Sequence, residues 1–201
     1  MMASLPGGRR HAAAQAGGPP VLLLIGIHRE ELEFGRAAAR GMDEGEVAVL
    51  EIPEGLSGRR PLPDDSFRYD ALHRALYRQL PPHVVGRHRL LIDLHTGFDH
   101  LGPSADLICA DLELLARLRR AIDDDPRLSA RNIRLIPLGD ADSTHARTVI
   151  PAQVWNNPAF RYLGMEIYLP EGGAQQAAAL ELARQLVHKA ACIDLPAPPA
   201  S

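Results

Sequence analysis

The 201-residue chain carries 25 acidic and 22 basic side chains, a formal net charge of −3, 46% hydrophobic residues, and 17 each of glycine and proline. That length suits one domain with a sizeable core. The charge excludes a protein held to nucleic acid by general basicity, which needs an excess or a block of Lys and Arg.

Residues 1–20 contain Arg9 and Arg10 but no apolar stretch before a cleavage site, so they read as a disordered arm and not a secretory signal. A single folded domain is expected over 21–193, with 194–201 a frayed tail. No apolar run approaches the ~20 residues that span a bilayer, so no membrane partner is expected. Two cysteines, Cys109 and Cys192, are too few for a disulfide framework or a four-thiolate zinc site. Both read as small buried hydrophobes in a reducing cytoplasm.

Val21 to Ile27 is continuously apolar, as a strand covered on both faces requires, and ends in the polar cluster His28-Arg29-Glu30-Glu31. A helix follows to about Arg40. Glu46 to Ile52 alternates as a second strand, and Pro53 to Arg68 is a Gly, Pro, Arg and Asp-rich loop too long for a simple connection. A helix from about Asp70 to Leu80 closes at Pro81-Pro82. Arg89 to Leu94 is another buried strand, ending in His95-Thr96-Gly97. Asp106 to Ala110 is a short strand, and Asp111 caps a helix to about Ile122, broken by Asp123 to Pro126.

Ile133 to Leu138 is a strand and Gly139 to Pro158 a long polar loop, in which His145 reads as a surface residue within reach of a pocket. Arg161 to Leu169 returns as strand, with Tyr162, Gly164, Glu166 and Tyr168 on one face and Leu163, Met165, Ile167 and Leu169 on the other. Gly172-Gly173 opens a final helix to about Ala191. This order predicts a three-layer α/β/α sandwich on a mostly parallel mixed sheet, with function at the carboxyl ends of strands.

His28 and Glu31 lie three residues apart after one buried strand, and His95 follows another. Two imidazoles and a carboxylate are a catalytic zinc set, with one position left for water. Each residue alone is unremarkable, and Glu31 by itself would be an ordinary acid in a helix's first turn. Together they point to one Zn2+ per chain. Asp93, two residues before His95 on the same strand face, can orient a neighbouring ring. The remaining histidines, including His73, His83, His88, His100 and His188, lack partners at ligand spacing and read as structural.

The segments Gly26-Ile27-His28-Arg29-Glu30-Glu31 and Asp93-Leu94-His95-Thr96-Gly97 resemble the zinc-ligand motifs of the succinylglutamate desuccinylase/aspartoacylase family, relatives of the zinc carboxypeptidases. Gly164-Met165-Glu166-Ile167 is similar to the segment bearing that family's catalytic glutamate. Asp65-Ser66-Phe67-Arg68 is similar to its Asp-Leu-Asn-Arg motif, with Phe67 where the family has the asparagine that contacts substrate. The resemblance runs in order over Val21 to Ala191.

It implies His28, Glu31 and His95 as zinc ligands and Glu166 as the base, with Glu171 as rival. It further implies Arg60, not separable from Arg59, as the group polarising the carbonyl, and Arg68 as the clamp on a substrate carboxylate. Without the family spacing these arginines read as solvated loop charges. The implied activity is zinc-dependent hydrolysis of an amide beside a free carboxylate, as in an N-acyl amino acid. The alternatives are a carboxypeptidase acting on a short peptide and a catalytically silent metal- or carboxylate-binding domain. The chain ends soon after the last helix, so the family's C-terminal β-rich domain is expected to be absent. The pocket would then be more open, or closed by a partner subunit of a homo-oligomer.

Overall fold

The computed structural model describes residues 18–59, 62, 65–99, 102–139, 148–170 and 175–194. Six strands form one sheet in the order β2-β1-β3-β6-β4-β5. They are β1 (Val21–Ile25), β2 (Val47–Glu51), β3 (Leu90–Phe98), β4 (Ser104–Cys109), β5 (Ile133–Pro137) and β6 (Arg161–Leu169). All neighbours run parallel except β4 and β6, which are antiparallel. The helices are α1 (Leu32–Ala39), α2 (Ser66–Tyr77), α3 (Pro81–Val84), α4 (Leu112–Asp123), α5 (Pro126–Ser129), α6 (Ala152–Trp155) and α7 (Gln176–Cys192).

The pleat divides the core in two. Leu23, Ile25, Ile92, Leu94, Leu163 and Met165 pack with buried residues of α1, α4 and α7. On the other face Leu22, Leu24, Leu91 and Tyr162 meet Tyr77 of α2, Leu80 at the cap of α3, Val84 of α3 and Val154 of α6. All five residues of β1 are buried, which is why its sequence is apolar without alternation. The predicted α/β/α sandwich with a mostly parallel mixed sheet is the fold observed.

Several boundaries differ, each for a local reason. β1 stops at Ile25 because Gly26 turns the chain at φ +83°, and a Cβ there would lie 2.6 Å from the Ile52 carbonyl oxygen. The chain then pairs again at a single bridge, His28 with Leu56, and Leu56 N–H donates to Ile27 O at 2.8 Å. The segment 53–59 is therefore held against the exit of β1. Glu30 fastens it further, accepting from Ser57 Oγ at 2.9 Å and Gly58 N at 3.0 Å.

β3 continues four residues past the expected end, so His95 lies within a strand. Polar side chains hide this extension, which is carried by pairing to β6 through Phe98 and Leu169. α2 starts at Ser66, since its exposed first turn, Ser66, Phe67 and Arg68, has no apolar periodicity to read. Pro81 and Pro82 open α3, as prolines may in a first turn. Asp111 caps α4 as expected, its Oδ1 accepting from Glu113 N at 2.9 Å and Leu114 N at 3.0 Å. Cys109 is buried, but Cys192 is exposed, contrary to expectation, because it falls on the outer side of the last turn of α7. Among the described residues no helix is long and apolar enough to cross a membrane.

Candidate metal centre

His28, Glu31 and His95 converge, each offering a ligand atom within 4.8 Å of the others'. His28 is delivered by the turn at Gly26 and Glu31 by the 3-10 turn of residues 29–31. His95 comes from β3, whose paired neighbour on β6 is Glu166. Glu31 stands between the two rings, Oε1 at 3.0 Å from His28 Nδ1 and Oε2 at 2.9 Å from His95 Nδ1.

The outer nitrogens of both rings are held from behind. His73, on α2, places Nδ1 2.8 Å from the Tyr69 carbonyl oxygen and Nε2 3.1 Å from His28 Nε2. A carbonyl can only accept, so His73 Nδ1 carries the hydrogen and its Nε2 accepts from His28 Nε2–H. Burial keeps the His73 ring neutral by lowering its pKa, which fits that assignment. The 3.0 Å contact of His28 Nδ1 with Glu31 Oε1 needs a proton between them, because two facing lone pairs make no hydrogen bond, and a bound cation would take the place of that proton.

His95 Nε2 lies 3.1 Å from Asp93 Oδ1 and 3.3 Å from Tyr77 Oη. Asp93 is wholly buried, and its Oδ2 accepts from Tyr77 at 2.7 Å and Tyr162 at 2.8 Å. The His95 contact to Oδ1 is short but lacks hydrogen-bond alignment, so Oδ1 has no properly directed donor. An unpaired buried carboxylate costs several kcal/mol, and here two phenols and one ring share the compensation. Burial would raise the Asp93 carboxyl, but His95 and the tyrosines hold it low. Burial would likewise lower His95, but Asp93 and Glu31 together hold it well above the ordinary histidine range.

The donor set fits a divalent cation. Three electron-pair donors point at one another, and in the metal-free chain only retained protons can keep them together. Two imidazoles and a carboxylate with one position open are a zinc set of the catalytic kind.

Glu166 lines the same cavity of about 260 Å³. Burial pushes its carboxyl up, His95 pulls it back, and Asp106 and Glu31 add to the rise. Asp106 is its paired neighbour on β4 and is itself gripped by Arg134 at 2.6 and 2.9 Å and by Tyr168 Oη at 2.9 Å. Gly97 makes room for this group: a Cβ there would stand 2.6 Å from the Tyr168 ring and 2.8 Å from Glu166 Oε1. The far wall of the cavity is apolar, formed by Ile108, Leu138, Val149 and Ile150.

The arginines are placed differently. Arg68 is exposed on the first turn of α2, and no arginine is among the described residues that line the cavity. Arg59 is exposed, directly after Gly58, which packs against His28. Arg60, His145 and Glu171 lie outside the described residues. Two histidines read as structural are not so simply placed. His73 backs a candidate ligand, and His188 has a partner at helical spacing in Cys192. Tyr69, His73 and Tyr77 form a stripe at i, i+4, i+8, and His73 and Tyr77 are the buried residues of α2. That stripe is the signal that reveals them.

No protein-family model matches the chain, and no curated protein matches it. Solved structures do. The CwlD amidase from Clostridioides difficile, in complex with the GerS lipoprotein, matches with TM-score 0.50 and 9% identity over 87% of this chain and 100% of that one. Murine aminoacylase 3 matches with TM-score 0.44 and 17% identity over 89% of this chain, which spans 65% of that protein's length. The N-acetylmuramoyl-L-alanine amidase AmiC2 of Nostoc punctiforme matches with TM-score 0.46 and 11% identity, over 88% and 95%. The chain shares the α/β fold of the CwlD amidase.

Proposed function

We propose that this chain is a zinc-dependent hydrolase of linear amides, acting on an N-acyl amino acid. The observation that carries this reading is the convergence of His28, Glu31 and His95 on one point, with Glu166 beside them in a cavity. The resemblance of the His28–Glu31 and His95 motifs to the succinylglutamate desuccinylase/aspartoacylase family supports it, as do the amidases and the aminoacylase among the structural matches.

His28, Glu31 and His95 would hold Zn2+, which would supply a Lewis acid to acidify water and polarise the amide carbonyl. Glu166 accepts the proton from the attacking water and hands it to the leaving amine. Burial raises its carboxyl above the ordinary carboxylate value, which favours uptake of that proton. His73 and Asp93 hold the two rings in the orientation that exposes their Nδ1 lone pairs. Arg59, which follows the Gly58 packed against His28, or else Arg60, is assigned the developing oxyanion, and Arg68 the substrate carboxylate.

The apolar wall of Ile108, Leu138, Val149 and Ile150 supports a substrate with an apolar acyl or side-chain group, in place of a second carboxylate. The test is turnover of a panel of N-acetyl, N-formyl and N-succinyl amino acids beside dipeptides, with zinc content measured in parallel. Hydrolysis of N-acyl amino acids bearing apolar groups is expected. Turnover of dipeptides alone would make the chain a carboxypeptidase. No turnover with stoichiometric zinc would make it a silent binding domain.

A further inference from the structure

A second group of donors lies at the opposite end of the sheet. Glu46 precedes β2, and its carbonyl accepts from Val21 N at the start of β1. His188 and Cys192 stand four residues apart on the last turns of α7, so their side chains share one side of the helix. His188 Nδ1 is 3.4 Å from Glu46 Oε2, and Cys192 Sγ is 3.6 Å from His188 Nε2 and 3.8 Å from Nδ1. All three donors fall within 4.8 Å of one another.

These separations have a simple reading. Zinc–sulfur bonds of about 2.3 Å and zinc–nitrogen or zinc–oxygen bonds of about 2.0–2.1 Å at the tetrahedral angle give S···N edges of about 3.5 Å and N···O edges of about 3.3 Å. The two edges that share His188 Nδ1, 3.4 Å to Glu46 Oε2 and 3.8 Å to Cys192 Sγ, are close to those values. The neighbouring cations of α7 are directed elsewhere, Arg184 to the Ala37 carbonyl at 2.6 Å and Lys189 to Asp125 at 2.9 Å. They leave the Glu46 carboxylate facing His188. A cavity of about 310 Å³ between residues 41–47 and α7 adjoins the group and gives a fourth ligand access.

We propose that Glu46, His188 and Cys192 form a second metal site, selective for zinc-like divalent ions over magnesium or calcium. A thiolate and an imidazole prefer borderline and soft cations, whereas hard ones need several oxygens. Its role is to clasp the end of α7 to the start of the β1–β2 edge, remote from His28 and His95.

Cobalt(II) substitution of the full chain tests this, because a thiolate ligand gives a near-ultraviolet charge-transfer band that the sulfur-free His28/Glu31/His95 group cannot produce. Two equivalents with that band are expected in the unmodified chain. His188→Ala and Cys192→Ser should each bind one equivalent without it, and Glu46→Gln should weaken the second site at least tenfold. His95→Ala should lose one equivalent and keep the band, so failure of the first site is distinguishable from failure of this one. Absence of the band at saturating cobalt, or its survival in His188→Ala as adventitious thiolate binding, would overturn the proposal.

Discussion

Glutamine at position 166 would keep the size and hydrogen-bonding reach of the side chain while removing its capacity to take a proton. Glu166→Gln should lower kcat for amide hydrolysis by roughly 10²–10⁴-fold with zinc content unchanged. Unaltered turnover would dismiss Glu166 as base and move attention to Glu171. His73 is predicted to matter without touching the metal. His73→Ala should weaken zinc binding by about 10–100-fold in chelator competition, and His73→Gln, which can still accept from His28 Nε2–H, should recover part of it. The sequence disclosed His28, Glu31 and His95 because each follows a mostly apolar run. It did not disclose the role of His73: the Tyr69, His73, Tyr77 stripe marks a buried helix face but not the ring that His73 meets across 45 residues.

Protonation sets a further expectation for the metal-free residues. His95 holds its proton to higher pH than an ordinary histidine, because the neighbouring carboxylates outweigh its burial. A metal must displace that proton, so affinity should rise with pH and level off above the folded pKa. Below it, affinity should fall by about tenfold per pH unit for each proton displaced. Calorimetry in buffers of different ionisation enthalpy would register the released protons. An affinity independent of pH would show that the ring is neutral before binding.

Among the elements, the β3–β6 pair decides where the chemistry sits. Its register sets His95 opposite Glu166 and Gly97 opposite Tyr168 on one face. Gly97→Ala would drive a methyl group into Tyr168 and Glu166 Oε1. The expected result is a fall in kcat with zinc stoichiometry retained, because the ligands lie two residues or more away; loss of zinc would mean that the strand itself had shifted. β6 was legible to the residue, since Leu163, Met165 and Ile167 alternate cleanly with Tyr162, Glu166 and Tyr168. The carboxyl half of β3 was not, because its pairing partners are distant in sequence and its side chains are polar. The start of α2 was hidden by full exposure of its first turn.

On the scale of the whole molecule, the fold was legible from the order of apolar strands and amphipathic helices. The reversal of β4 against β6 was not, because burial patterns do not record strand direction. The cluster at the amino ends of β1 and β2 was equally hidden: Glu46 and His188 are 142 positions apart in sequence and meet only because α7 returns along the sheet. The described structure thus carries donor groups at both poles of one sheet.

The turn at Gly26 gives His28 a double allegiance. The same residue that offers a lone pair to the metal group is bridged to Leu56, in the segment that leads to Arg59. A ligand that grips this segment is therefore tied to the metal group through the His28–Leu56 bridge. Thermodynamic reciprocity then applies: whatever factor zinc adds to the affinity for a carboxylate-bearing inhibitor, that inhibitor must add to the affinity for zinc. Paired titrations in each order should return one shared factor. Gly26→Ala, which strains both the turn and the contact with Ile52, should bring that factor toward unity before it abolishes either binding event.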